Sequence, residues 1–184
     1  MIKILLKVVI VMNKNDFFEY YQIVRPILES KEFQKRKKFR HHEDESVYEH
    51  SLKVSLLSYK LAKKCGFDYN SAAIGGLLHD FYSEPWQDVK KKTKLFKMHG
   101  FVHAREAYKN SRKYFDDLMT PKIKDIIVKH MFPLNPTPPR YMESWIVTFS
   151  DKVVSSTVLL HPASYPKYLG IKRERKNESK VRLV

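Results

Sequence analysis

The sequence predicts an all-α fold, a compact single-domain helical bundle, from three observations. Apolar residues recur every three or four positions along most of the chain. Helix start and stop signals bracket those stretches. No convincing alternation of apolar and polar residues runs outside the N-terminus, so helices packed on helices, six or seven of them, are the expectation. A length of 184 residues suits one domain with tails, or at most two small ones. The 43% of apolar residues, 13% aromatics among them, can fill a core of that size. The expected organisation is an apolar N-terminal extension over 1–12, a helical domain over 13–166 and a basic C-terminal tail over 167–184.

Met1 to Met12 is apolar apart from Lys3 and Lys7. It is too short to span a bilayer and has no small-residue cleavage site. It reads as a docked strand or helix turn, or as an extension upstream of a start at Met12. Asn15 or Asp16 can cap a first helix carrying Phe17, Phe18, Tyr21 and Val24, near Pro26. Lys31 to Arg40 is basic and reads as a solvated helix face. Ser46 caps the strongest amphipathic helix, whose apolar face is Val47, Val54, Leu57 and Leu61. Gly66 suits the left-handed position that ends it. Asp68 to Ser71 start the next helix, which runs through Leu77 and Leu78 to His79-Asp80. Gly75-Gly76 within it lowers helix propensity, which close approach of a neighbouring helix compensates. Residues 82–98 read as a loop with a short helix on the rim, rich in lysine. A helix from about Gly100 to Phe115 carries His103, Ala107 and Tyr114. Thr120-Pro121 opens a helix to His130, with Ile123, Ile126 and Ile127 inward. After a Pro-rich connection, a last helix begins near Tyr141, with Val147, Thr148, Asp151, Val154, Ser155 and Val158 on one face.

Composition removes several function classes. A single cysteine, Cys65, excludes a disulfide framework and Cys-rich zinc modules, and fits a cytoplasmic protein. Five glycines assemble no phosphate-cradling loop. The net charge of +15 points to an anionic partner or substrate.

The polar residues placed on apolar helix faces are the informative ones. His50, His79-Asp80, His103, His130 and Asp151 fall on different predicted helices. A single buried histidine is explained by a hydrogen bond. Four histidines and two aspartates aimed inward are explained together by a shared metal centre, for which imidazole and carboxylate are natural ligands.

The order Tyr48-Glu49-His50-Ser51-Leu52-Lys53-Val54, then Gly76-Leu77-Leu78-His79-Asp80, then Phe149-Ser150-Asp151-Lys152 resembles the HD-domain metal-dependent phosphohydrolase superfamily over roughly His42 to Val158. The resemblance implies that His50, His79, Asp80 and Asp151 hold a first divalent ion. In the two-metal form, His103 and His130 add ligands and Asp80 bridges the ions. His99 is the alternative to His103, or a substrate contact. The ion implied is iron or manganese, with cobalt, nickel or zinc also compatible. Asp80 and His79 are the catalytic candidates; Lys152, His99, His42 and Arg140 are the substrate-binding candidates, with Lys90, Lys91 and Lys92 on the rim.

The chain lacks the Gly-Tyr-Pro segment of the cyclic-dinucleotide-degrading branch, and the second histidine that branch carries after the position of His130. It is more similar to small stand-alone bacterial members, including those that cleave dinucleoside polyphosphates symmetrically. The function implied is hydrolysis of a phosphoester or phosphoanhydride bond of a nucleotide or other small phosphorylated compound, with no membrane partner. Two other classes stay open: a di-iron oxygenase on the same fold, and a non-catalytic nucleic-acid-binding or regulatory module, suggested by the basic runs Lys35 to Arg40, Lys90 to Lys97 and Lys172 to Lys176.

Overall fold

A computed structural model describes residues 12–42, 45–82 and 99–156; the side chains at 40–42 and 99–102 fall outside that description. The expectations for the N-terminal run, the 83–98 segment with Lys90, Lys91 and Lys92, Val158 and the basic tail therefore concern residues outside it, as do those for the side chains of His42 and His99. Among the described residues the chain forms seven α-helices, two 3₁₀ turns and one two-stranded ribbon. None of these helices is long and apolar enough to cross a membrane.

Helix α1 spans Lys14–Leu28. It starts earlier than expected, because Asn13 caps it: its Oδ1 accepts from the Asp16 backbone N–H at 2.8 Å. The buried face is Tyr20, Val24, Ile27 and Leu28, whereas Phe18 is 65% exposed. Tyr20 can be buried because its hydroxyl donates to Ser55 Oγ at 3.0 Å.

A single turn, α2 (Lys31–Gln34), and a 3₁₀ turn (Lys35–Lys38) follow. Lys35, Lys37 and Lys38 are exposed, as a solvated face requires, but Arg36 is buried. Its guanidinium lies 4.0 Å over the Phe81 ring and donates to Glu32 O at 2.7 Å. Strands β1 (Arg40–His42) and β2 (Glu45–Ser46) then pair antiparallel, a ribbon too short to show as alternation in the sequence.

Helix α3 (Val47–Lys64) is the centre of the bundle. Ser46 and Glu49 form a reciprocal capping box at its start. At its end the Phe67 N–H reaches Ala62 O at 2.9 Å and the Gly66 N–H reaches Lys63 O at 3.3 Å, with Gly66 at φ +73°. This is the left-handed stop that glycine allows. Helix α4 (Tyr69–Leu78), capped by Asp68, folds back against α3.

Gly75 and Gly76 perform the packing their sequence suggested. A Cβ on Gly76 would stand 2.9 Å from Ser55 Cα, and one on Gly75 would stand 2.6 Å from a methyl of Ile126. Ser55 Oγ also donates to Ala73 O at 2.7 Å across the same seam.

Helix α5 runs over His99–Phe115, so His99 lies in its first turn rather than ahead of it. Helix α6 (Pro121–Lys129) has the expected Thr120 cap with Pro121 in the first turn, and packs on α4 and α5. Helix α7 (Met142–Ser155) closes the bundle against α3 and α6. One apolar cluster joins α1, α3, α4, α5 and α6, and a smaller one joins α3, α6 and α7.

Away from these clusters a polar clamp ties α4, α6 and α7. Lys122 Nζ lies 3.0 Å from both Asp68 Oδ2 and Glu143 Oε1. Burial alone would raise both carboxyls, but hydrogen bonds outweigh it: those from Ser71 and Lys122 hold Asp68 below the usual carboxylate range, and the one from Lys122 does the same for Glu143.

Two stability outcomes follow from this packing. Gly76→Ala meets backbone and lowers stability by about 1–3 kcal/mol. Gly75→Ala costs less, because the Ile126 side chain can turn aside; paired thermal melts measure the difference. Glu143→Gln removes a charged hydrogen bond and costs roughly 1.5–3 kcal/mol at neutral pH. A carboxyl depressed by folding stabilises above its unfolded pKa and ceases to do so as pH falls through its folded one. The gap between wild type and Glu143→Gln therefore narrows as denaturant melts are taken below pH 4.

Candidate metal centre

The bundle brings six sequence-predicted residues from five helical elements to one place. His50 lies in the first turns of α3, and His79-Asp80 directly after α4. His103 is on α5, His130 ends α6, and Asp151 is on α7. His50, His79 and His130 are essentially inaccessible to solvent, and Asp80 is buried.

Asp80 is the hub. Its Oδ1 lies 2.6 Å from His103 Nε2 and 3.5 Å from His130 Nε2. Its Oδ2 lies 3.5 Å from His79 Nε2 and 3.9 Å from His50 Nε2. The two oxygens thus face two different pairs of histidines. Asp151 completes one side, with Oδ1 at 3.0 Å from His50 Nε2 and 3.6 Å from His79 Nε2.

Helix ends orient two of the imidazoles. The last carbonyls of a helix lack intrahelical donors. His79 and His130, each at the C-cap, place Nδ1 2.8 Å from the carbonyl three residues back, Gly76 O and Ile127 O respectively. A carbonyl only accepts, so Nδ1 carries the proton, and in the neutral ring Nε2 offers a lone pair. Both Nε2 atoms are buried, make no hydrogen bond among the described residues, and point at the carboxylates. Orphaned lone pairs in a buried site are costly; a cation satisfies them and the aspartates together.

Electrostatics agree with the geometry. Burial alone would lower His50, but Asp151, Glu45 and Asp80 push it up to about 9. Burial also opposes charge on His79, yet Asp80 and Asp151 raise it. Asp151 is held well below the usual carboxylate range by His50 and His79, against the effect of burial. His130 is pushed down to about 4 by burial first and by the neighbouring His79 ring second. The carboxylates draw positive charge towards His50 and His79, while His130 stays neutral and ready to ligate.

Two donor sets meet the spacing a metal ion needs. His50, His79 and Asp151 form one, and His79, Asp80 and His130 the other; within each, the donor atoms lie within 4.8 Å of one another. Imidazole and carboxylate without thiolate suit divalent transition metals. Nothing in either set opposes such an ion.

The HD domain family matches residues 47–162, more than half of the chain. The chain belongs to the HD domain family. No curated protein and no solved structure is similar enough to match it. Membership agrees with the all-helical fold and with the His-Asp doublet lying at the centre of the cluster. HD domains bind divalent metals and are generally metal-dependent hydrolases, so a hydrolase class is the coarse reading for this chain.

Lys152 and Arg140 make contacts of their own. Lys152 is exposed and its Nζ donates to Phe132 O at 2.7 Å, tying α7 to the turn after α6. Arg140 is exposed, with its guanidinium 5.7 Å from the Tyr141 ring centroid and its backbone N–H on Asp125 Oδ2. Neither makes a contact with the six-residue cluster among those described.

Three neighbours of the cluster escaped the sequence reading. The Tyr82 ring lies 4.6 Å from that of His103, and its hydroxyl is buried without a hydrogen bond among the described residues. Arg36 covers Phe81, the residue after Asp80. Glu45 Oε2 stands 3.8 Å from His50 Nδ1. Arg36 gave no signal, because it sits inside a run of exposed lysines. Tyr82 and Glu45 gave one, as polar residues flanking the doublet and the Ser46 cap.

A metal-binding site coupled to five helical elements stabilises the fold when filled. Adding Mn²⁺ or Fe²⁺ to chelator-treated protein raises its Tm, by the equivalent of about 2.7 kcal/mol at a hundredfold excess over Kd. Asp80→Asn, which removes the charge facing all four histidines, abolishes most of that shift in differential scanning fluorimetry.

Proposed function

We propose that this HD domain is a metal-dependent phosphohydrolase that cleaves a phosphoester or phosphoanhydride bond of a nucleotide or another small phosphorylated compound. The observation that carries the reading is the split of Asp80, whose two carboxylate oxygens face separate histidine pairs. That arrangement suits two ions sharing one carboxylate. His50, His79, Asp80 and Asp151 would hold the first, and Asp80, His103 and His130 the second, with iron or manganese favoured. Bound divalent ions supply Lewis acidity and a water acidic enough to be deprotonated near neutral pH.

The chain's own groups do the rest. Gly76 O and Ile127 O hold His79 and His130 in the ligating tautomer. Asp80 orients the groups around it and takes part in positioning the nucleophilic water. Helices α3, α4, α6 and α7 exclude bulk solvent from the inner face, which strengthens every charge interaction there. Phosphoryl transfer asks mainly for positioning and charge stabilisation, and this site offers both.

An anionic substrate agrees with the net charge of +15. Arg36 and Tyr82, buried donors beside Phe81 and His103, are candidates to hold its phosphate end, as are Lys152, Arg140, His42 and His99. The working domain on this reading is 13–166, acting in the cytoplasm.

Protein reconstituted with Mn²⁺, Fe²⁺, Co²⁺ or Ni²⁺ releases phosphate, or a phosphorylated fragment, from at least one nucleotide or sugar phosphate in a metabolite screen. Asp80→Ala reduces that release to background while circular dichroism remains helical. Oxygen uptake with an organic substrate and no phosphate release overturns the reading in favour of an oxygenase. Steeply salt-dependent RNA binding without turnover overturns it in favour of a binding module.

A further inference from the structure

His50 differs from the other inner histidines in what lies behind its ring. His79 and His130 end helices and use spare last-turn carbonyls to fix Nδ1. His50 lies in the first turns of α3, far from the last-turn carbonyls that a helix leaves without intrahelical donors. The group facing its Nδ1 is a carboxylate, Glu45 Oε2, at 3.8 Å. Glu45 is itself held: Lys53 Nζ lies 2.5 Å from its Oε1. Lys53 is on α3, close to one turn beyond His50, so both ends of the clamp come from the helix that carries the ligand.

We infer that Glu45 is the positioning residue of His50, forming a carboxylate–imidazole pair behind the metal-facing nitrogen, with Lys53 locking the carboxylate in place. This rests on the metal centre proposed above. A carboxylate behind a ligating imidazole favours the proton on Nδ1 and makes Nε2 a stronger donor. The separation of 3.8 Å is a charge contact rather than a hydrogen bond. Drawing positive charge to Nε2 strengthens the attraction between the ring and Glu45, so ligation and the contact with Glu45 reinforce each other. The position of Glu45, directly before the Ser46 cap, explains the local backbone. Ribbon β1–β2 and the capping box together deliver Glu45 to one side of the first turn of α3 while Glu49 turns back to the Ser46 N–H at 3.0 Å.

The neighbouring carboxylate supplies the control. Glu49 caps the helix and does not face His50 in any described contact. Glu45→Gln keeps the size and removes the charge; Lys53→Met frees Glu45; Glu49→Gln weakens the cap alone. Mn²⁺ affinity is measured by competition with a chromophoric chelator, and the Co²⁺ absorption spectrum and the Tm of chelated protein are recorded alongside. The expected result is a 10–100-fold weaker Mn²⁺ affinity for Glu45→Gln, with an altered Co²⁺ spectrum and a nearly unchanged chelated Tm. Lys53→Met shows a smaller loss, Glu45→Asp recovers part of the affinity, and Glu49→Gln lowers Tm without changing affinity. Mn²⁺ affinity of Glu45→Gln within twofold of wild type overturns this inference and leaves the metal centre standing. A wild-type protein that binds neither Mn²⁺ nor Co²⁺ overturns both.

Discussion

Negative charge placed inside the bundle is the constraint on which the rest of the molecule turns. Asp80 is buried, and Asp151 is mostly covered. Removing a carboxylate from water is affordable only with opposite charge and donors at hand. The chain provides four imidazoles, each from a separate helix or helix end, and so the positions of α3, α4, α5, α6 and α7 are all tied to one electrostatic requirement. The hydrophobic clusters supply the bulk of the stability, but they do not by themselves fix how far each helix advances along its neighbours. The convergent polar groups do, because a helix shifted by one residue moves its donor by about 1.5 Å.

Much of this was legible in the sequence because it depends on local rules. Ser46 with Glu49, Asp68, and Thr120 with Pro121 mark helix starts through hydrogen bonds made within a few residues. Gly66 marks a stop through its backbone freedom. His50, His79, Asp80, His103, His130 and Asp151 stood out because each interrupts an apolar face, and a polar residue at such a position calls for a partner. The pairing of Gly75-Gly76 with a close neighbour followed from the cost of glycine in a helix.

Features that depend on distant partners were not legible. Arg36 lies within a basic run and looks like its neighbours; only its stacking on Phe81, far along the chain, distinguishes it. Phe18 faces solvent while Tyr20 turns inward, since Ser55 offers Tyr20 an acceptor that Phe18 has no use for. Asn13 rather than Asn15 or Asp16 caps α1, a choice among adjacent residues of similar capping ability. Lys152, next to Asp151 in sequence, is turned outward by the helical period and finds the Phe132 carbonyl.

The seam between Ser55 and Gly76 has a bearing on how the two imidazoles beside it are held. His50 lies five residues before Ser55 on α3, and His79 lies three residues after Gly76 at the end of α4; the two rings come within 5.4 Å of each other, centroid to centroid. With no side chain on Gly76 the two main chains meet directly at that point, and the seam limits how closely the two helices approach. A side chain at Gly76 would press on the Ser55 main chain and shift the elements that carry His50 and His79, so this glycine governs the shape of the polar cluster as well as the packing.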